Sequence, residues 1–202
     1  MPRIAGQIDR VKTEAILDAA SQVLFDRGLA ASMDEIARCA RVSKQTVYNH
    51  YGSKAELVRA LMDRRVQLIA APLEVPGADA FPESALAAYA RALLETIASE
   101  RAIAIMRLMI QSAPSAPELG REAFAAGPEA GRMRLADFLA KEDRIGRLRV
   151  PDPREAADFF TGMVIAQHQM QLLLGLPNDL RPERIDRIAA EAARRFLRAY
   201  AP

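Results

Sequence analysis

The chain has 202 residues, of which half are apolar and 5% are aromatic, and its formal net charge is +2. Its one cysteine, Cys39, excludes an internal disulfide framework, and no run of apolar residues is long enough to predict a membrane-spanning helix. The first residues lack the apolar core of a signal peptide, so we expect a cytoplasmic protein that has no membrane partner.

The first predicted element is a helix over about residues 9–27. Ile16, Ala20 and Leu24 follow helical spacing and give it an apolar stripe. Gly28 predicts its end, because glycine is common just after the last helical residue. We expect this helix to brace the two short helices that follow it.

Residues 32–58 contain two short helices in tandem, each with its own start signal. Ser32 precedes Glu35 by three residues and Ser53 precedes Glu56 by three, so each pair fits a capping box. Ser43 lies between them and can cap a helix of its own. The segment predicts helices over about 33–40 and 44–50, and a longer helix from 54 to about 70. Two short helices joined by a tight turn are typical of the helix-turn-helix motif, which reads DNA.

The charge distribution agrees with a nucleic-acid partner at this end of the chain. Residues 1–65 contain 11 basic and 8 acidic side chains, whereas the remainder contains 17 and 18. No acidic residue lies between Glu35 and Glu56. The basic residues that border or occupy the motif are Arg38, Arg41, Lys44 and Lys54. Such a positive surface favours DNA, because contacts to phosphates supply most sequence-independent affinity.

Residues 10–60 resemble the N-terminal domain of the TetR/AcrR family of bacterial transcriptional regulators. The matching elements are Met33-Asp-Glu-Ile-Ala, Val42-Ser-Lys, Thr46-Val-Tyr-Asn-His-Tyr and Gly52-Ser-Lys-Ala-Glu-Leu. Arg41 departs from the family, which usually has glycine in this turn, and a positive φ there would cost about 1 kcal/mol.

The resemblance implies a DNA-binding domain over residues 1–52 and an effector-binding and dimerisation domain over 53–202. It further implies a homodimer that places two recognition helices in successive major grooves of a near-palindromic double-stranded DNA operator. A small-molecule effector would release the DNA. Repression is the common outcome in the family, and activation is the other.

Individual DNA contacts are predicted from position on the second short helix. Lys44 suits guanine and Gln45 suits adenine, since both lie in the first turn, where side chains reach base edges. Tyr48 and His50 are predicted to contact phosphate, as is Lys54 at the start of the next helix. The predicted set is Ser32, Ser43, Lys44, Gln45, Thr46, Tyr48, Asn49, His50 and Lys54.

Beyond residue 70 the pattern remains helical. Pro72, Pro76-Gly77 and Pro82 predict a loop. Further helices are predicted over about 82–97, 101–113, 118–141 with a disturbance at Gly127-Pro128, 153–174 and 181–199. No strand pattern is present. We therefore predict an all-α protein of about nine helices, in which a three-helix helix-turn-helix module precedes a larger helical bundle.

The apolar, Met-rich C-terminal part predicts an effector pocket between the fourth and eighth helices. An apolar or amphipathic molecule would lie among Met62, Tyr89, Met106, Phe124 and Phe159. A plain packed core is the alternative for such methionines. Gln167, His168 and Gln169 either orient a ligand or form a polar strip between subunits, and we favour the strip.

The helix over 153–174 predicts a subunit interface. Its apolar residues alternate in steps of four and three, the spacing of a seam between helices. In the resembling family the last two helices of each subunit form a four-helix dimer interface. The predicted set is Phe160, Met163, Gln167, Met170, Leu174, Ile188, Ala192 and Phe196. Burial of both helices within one subunit is the alternative.

Enzymatic motifs are absent from the sequence. It contains no phosphate-binding loop, dinucleotide fingerprint, zinc-protease motif or nucleophile elbow. Its two histidines, His50 and His168, are far apart, so we expect neither a metal site nor a cofactor. Two alternatives to an effector-controlled regulator stay open. One is an all-α DNA-binding or architectural protein without effector control, and the other is an enzyme with a pocket in its bundle.

Overall fold

The computed structural model describes residues 5–75 and 77–202, and in this part of the chain the regular structure is entirely helical. No described helix combines the length and apolarity needed to cross a membrane.

The predicted all-α fold with an N-terminal helix-turn-helix module is confirmed. The helices are α1 (Ala5–Arg27), α2 (Met33–Cys39), α3 (Lys44–His50), α4 (Lys54–Glu74), α5 (Pro82–Ala98), α6 (Glu100–Ser112), α7 (Pro117–Phe124), α8 (Ala130–Arg144), α9 (Pro153–Ile165), α10 (His168–Leu173) and α11 (Pro182–Ala199).

Two of the predicted helices are each divided in two. The predicted disturbance at Gly127-Pro128 is a π-helical turn over Ala125–Glu129 that joins α7 to α8. The break between α9 and α10 was not predicted, because neither glycine nor proline occurs there. It lies at Ala166, whose φ of 43° and ψ of −127° no helix can accommodate. Such a conformation costs on the order of 1–3 kcal/mol and persists only where surrounding contacts enforce it.

Helix α4 is longer than predicted, and the prediction that a loop begins at Pro72 is wrong. The proline lies inside the final turn of α4. There it removes a single helical hydrogen bond. Leu73, one residue later, is buried in the C-terminal core, and its burial favours continuing the helix to Glu74.

The N-terminal core lies where α1 crosses the two short helices. Ile16, Ile36 and Val47 are fully buried there, and residues from α4, α6 and α7 complete the same cluster. Leu61 of α4 and Ile105 of α6 are among them. The core therefore extends across residue 52, the predicted domain boundary, and couples the helix-turn-helix module to the rest of the chain through packed side chains.

The C-terminal core is formed mainly by α5, α8, α9 and α11. Phe160 and Phe196 meet edge to face, with ring centroids 5.1 Å apart, and Tyr89 lies 6.3 Å from Phe160. Phe160, Ala192 and Phe196 were predicted at a subunit interface. The structure corrects these three assignments, because all three side chains are buried inside one subunit and offer no surface to a partner.

Candidate nucleic-acid interface and cavity

The start of α2 forms the predicted capping box. Ser32 Oγ accepts a hydrogen bond from the Glu35 amide at 3.1 Å, and Glu35 Oε2 accepts one from the Ser32 amide at 2.9 Å. The bonds from Ser32 are the main reason that the pKa of Glu35 lies below its usual value. The Ser32 hydroxyl therefore fixes the orientation of α2 and lies at its exposed N-terminus.

The turn between α2 and α3 depends on Arg41, whose φ is 56°. The predicted positive φ at this position is confirmed. It allows the amide of Arg41 to bond the carbonyl of Arg38, and the amide of Val42 to bond the carbonyl of Ala37 at 3.0 Å. The turn thus holds α3 at a fixed angle to α2, with the strained arginine exposed.

Helix α3 is held at its start and on its inner face. Ser43 Oγ accepts a hydrogen bond from the Thr46 amide at 3.0 Å and lies 2.8 Å from Thr46 Oγ1. Val47 is fully buried in the N-terminal core. Because Val47 anchors one side of the helix, the predicted base-reading residues Lys44, Gln45 and Asn49 project from the exposed side.

The exposed side chains of α3 already hold one another in place. Lys44 Nζ lies 2.9 Å from the Asp34 carboxylate and 5.6 Å from the centre of the Tyr48 ring. The hydrogen bond that Lys44 donates to the Asp34 carboxylate raises the pKa of Lys44. Gln45 Nε2 donates to Asn49 Oδ1 at 2.7 Å. This ordering lowers the entropic cost of presenting these groups to a duplex.

The start of α4 differs from the prediction in one bond. Ser53 Oγ accepts from the Glu56 amide as expected, but the Glu56 carboxylate accepts from the Gly52 amide, at 2.9 Å, and not from Ser53. Lys54 is the first residue of α4 and His50 the last of α3, with the His50 ring 6.1 Å from that of Tyr51. All nine predicted DNA-binding residues thus belong to the starts of α2 and α4 or to α3 and its cap.

A cavity of about 300 Å³ lies between α4, α5, α6, the π-helical turn, α8, α9 and α10. Of the five residues predicted to line a pocket, Met62, Tyr89, Met106 and Phe124 do so. The structure corrects Phe159, which does not line the cavity and is 58% exposed. It lies on the outer side of α9, because its neighbour Phe160 occupies the core.

Polar residues of the cavity wall were missed by the sequence analysis. Arg65, Arg132 and Asp158 line it. Gln169 also lines it, which agrees with the ligand-orienting alternative and not with the favoured strip between subunits. A signal for Arg65 was present, because it follows Met62 by three residues on α4 and shares its helix face. Arg132 and Asp158 carried no such signal, since their positions depend on how α8 and α9 pack.

The hydroxyl group of Tyr89 is part of the cavity wall, and the Tyr89 side chain is fully buried. It donates a long hydrogen bond, 3.5 Å, to the carbonyl of Gly131. Burial raises the pKa of Tyr89 to about 12, and the Thr161 hydroxyl opposes that shift. No described group completes a normal hydrogen bond with Thr161 Oγ1, which is itself buried. The long bond to Gly131 leaves the Tyr89 hydroxyl able to bind a polar group inside the cavity instead.

Helix α6 connects the cavity to the N-terminal core. Met106 lines the cavity, whereas Ile105 and Met109 belong to the core that surrounds α1. At the start of α6, Arg101 Nη2 donates to Gln22 Oε1 of α1 at 2.6 Å. A shift of α6 would therefore act directly on α1, the helix that packs against α2 and α3.

An apolar surface remains exposed along α9 and α10. Met163, Met170 and Leu174, all predicted at a subunit interface, are 40%, 61% and 65% exposed. Gln167 is exposed among them, whereas Ile188 of α11 is partly buried against the C-terminal core. Apolar side chains clustered on a surface in this way are typical of a protein-protein contact.

Comparison with known proteins gives two matching family models. Residues 16–61 match the model described as bacterial regulatory proteins of the tetR family, and residues 84–202 match the model of the AefR-like transcriptional repressor C-terminal domain. Both ends of the chain therefore match models of transcriptional regulators.

Solved structures resemble the whole chain. The flavonoid-responsive regulator FrrA is 33% identical, with a TM-score of 0.71 over 95% of this chain and 97% of that one. A TetR transcriptional regulator from Agrobacterium tumefaciens is 25% identical, with a TM-score of 0.72 over 94% of each chain.

Two curated relatives match over short segments of the chain. The transcriptional activator FasR of Mycolicibacterium smegmatis is 54% identical over 52 residues, which are 25% of this chain and 24% of that protein. The chain matches 29% of the length of BetI from Rhizobium meliloti. The chain thus matches less than a third of the length of each of these two proteins.

Proposed function

Since the chain belongs to the TetR family of bacterial transcriptional regulators, we propose that it is a ligand-responsive repressor that binds a near-palindromic operator as a homodimer. One observation carries the proposal: the cavity wall and the N-terminal core share Met62 and are joined by α4 and α6. The description of the C-terminal family model favours repression.

The DNA-binding residues divide into two groups by position. Gln45 and Lys44, in the first turn of α3, read base edges in the major groove. The starts of α2 and α4 face the flanking phosphates, where Ser32 and Lys54 lie. The Lys44–Asp34 ion pair is exposed, so its partner can be exchanged for a base or phosphate at little cost.

The dimer forms through the apolar surface of α9 and α10. Phe159, Met163, Met170 and Leu174 cover that surface, and pairing two copies across a two-fold axis would remove it from water. This dimer would hold its two α3 helices at a fixed distance from each other. The two half-sites of the operator would then be separated by one helical turn of DNA or by a multiple of one turn.

Ligand and DNA compete through the position of α4. A molecule in the cavity contacts Met62 on α4 and Met106 on α6, and both helices contribute to the core beneath α2 and α3. The ligand releases DNA only if it binds the non-DNA conformation more tightly. A coupling free energy of about 1–3 kcal/mol would be ordinary for such a system. The name of FrrA, a flavonoid-responsive regulator, supports control by a small molecule.

The first experiment selects binding sites from random DNA duplexes with the full-length protein. We expect a near-palindromic consensus and a steep fall of log affinity against log salt concentration. Equal binding of all sequences would favour the all-α DNA-binding protein without operator preference. A flat salt dependence would contradict the phosphate contacts.

The second experiment tests ligand control on the selected operator. A collection of small apolar and amphipathic molecules is screened by thermal shift, and each binder is then tested for release of DNA. We expect at least one binder to weaken DNA affinity by fivefold or more. Binders that fill the cavity and leave the affinity unchanged would contradict effector control.

A further inference from the structure

The cavity contains a positive charge that has no counter-charge in the described part of the chain. Arg65 shares one face of α4 with Met62, Val66 and Ile69, since these positions follow helical spacing, and all four line the cavity. Arg65 is half-buried, and among the described residues it forms neither a hydrogen bond nor an ion pair. Its guanidinium thus borders a largely apolar space.

The other charges of the cavity wall neutralise one another. Arg132 Nη1 lies 3.0 Å from Asp158 Oδ1, and Arg132 also pairs with Glu129. Arg65 has no such ion pair among the described residues. Burial lowers the pKa of Arg65, and the positive charge of the neighbouring Arg64 lowers it further. Arg64 itself is paired with Glu14 and Asp18 of α1. A half-buried cation without a partner is unfavourable, and a bound anion would offset that cost.

We infer that the cavity binds an amphipathic anion, a molecule with one carboxylate or similarly acidic group on an apolar body, and that Arg65 holds the acidic group. A guanidinium suits this role because its N–H donors match the two oxygens of a carboxylate. The Tyr89 hydroxyl, whose bond to the Gly131 carbonyl is long at 3.5 Å, can donate its hydrogen to the acidic group instead. Leu93, Ile97 and Ile103 supply apolar wall for the rest of the molecule.

The size of the cavity limits the ligand. A water molecule occupies about 30 Å³ of liquid, so a cavity of about 300 Å³ has room for on the order of ten non-hydrogen atoms. Medium-chain fatty acids and single-ring aromatic acids fit this limit. The inference names the ligand class of the cavity and rests on the proposed function only for the effect on DNA.

The test compares acids with neutral molecules of the same shape by isothermal titration calorimetry on the full-length protein without DNA. The two pairs are octanoate with octanamide, and 3-phenylpropanoate with 3-phenylpropanamide. We expect each acid to bind roughly ten- to a hundredfold more tightly than its amide, the range expected when a hydrogen bond to a charged group is gained. Arg65→Met should abolish this preference and leave amide affinity about unchanged, and Arg65→Lys should restore part of it.

Arg59→Met is the matched control, because it removes a positive charge from an exposed position of α4 that does not line the cavity. It should keep the preference for acids. Equal affinity for acid and amide, a preference that survives Arg65→Met, or no binding of any of the four probes would overturn the inference. If Arg65→Met fails to fold, the wild-type comparison and Arg65→Gln decide the question.

The outcome can be separated from that of the proposed function. Octanoate that binds through Arg65 without releasing DNA would support the ligand class and contradict its role as effector. Release of DNA by neutral molecules alone, with no preference for acids, would support ligand control and overturn the assignment of Arg65.

Discussion

The thioether of Met62 packs against Gly127, where a Cβ atom would lie 3.4 Å from Met62 Sδ. The contact joins α4, whose first residue Lys54 is predicted to contact DNA, to the π-helical turn that lines the cavity. Met62 is 8% exposed and belongs to the N-terminal core. One side chain is thus shared by the cavity wall and the core beneath the helix-turn-helix module.

Met62→Ala should lower the free energy of unfolding by about 2–5 kcal/mol, because it removes buried volume that the surroundings refill only in part. Met62→Leu conserves volume and should cost less than about 1.5 kcal/mol. Urea denaturation of the two variants measures the difference. Equal losses would mean that the shape of the thioether, and not its volume, stabilises this contact.

Gln45→Ala should weaken DNA binding by about 1–3 kcal/mol at operators carrying the preferred base and by less when that base is changed. Lys54→Ala should weaken binding to all sequences about equally and reduce the salt slope by about one. Fluorescence anisotropy with a panel of single-base operator variants checks both. Identical profiles for the two variants would show that the division into base and phosphate contacts is wrong.

Arg41→Gly should raise the free energy of unfolding by up to about 1 kcal/mol, because glycine adopts the φ of 56° without steric cost. Arg41→Ala is the control, since it removes the charge and keeps the strain, and it should give no such gain. Thermal unfolding of both variants checks the prediction. If Arg41 also contacts phosphate, both variants should bind DNA less tightly and with a smaller salt slope.

The stability of the α2 start should depend on pH through Glu35. Its pKa in the folded state is lowered, chiefly by the hydrogen bond from the Ser32 amide, so its contribution is fully present above its ordinary value of 4.5. That contribution is lost as the pH falls below 4.5 through the lower folded value. Glu35→Gln should show a smaller fall of Tm between about pH 5 and pH 3 than the parent. Parallel Tm curves for the two proteins would refute this role.

Met163→Asp and Phe160→Asp should separate the surface of α9 from its core side. Met163 is 40% exposed, so Met163→Asp should yield monomers with unchanged helical circular dichroism if the exposed face forms the dimer. Phe160 is fully buried, and Phe160→Asp should unfold the protein because it buries an unpaired charge. Sedimentation velocity and circular dichroism measure the two effects. A Met163→Asp variant that remains dimeric would place the interface elsewhere.

The start of each short helix and the turn between them could be predicted from the sequence because the signals are local. Ser32 and Ser43 bond amides three residues away, and Arg41 stands where the turn needs a positive φ. Such bonds require no knowledge of distant segments. The resemblance of residues 10–60 rests on the same local features, and it identified the helix-turn-helix module correctly.

Tertiary structure alone decided what each side of the C-terminal helices faces. A segment such as residues 153–174, which has apolar residues on more than one face, gives no sign of which side chains are covered by the same subunit, so Phe160 and Met163 looked equivalent. The break at Ala166 and the pairing of Arg132 with Asp158 likewise depend on packing between distant helices. Helical spacing places Arg65 on the same face of α4 as Met62, but only the enclosure of that face by α5, α6 and α8–α10 places the charge at a cavity.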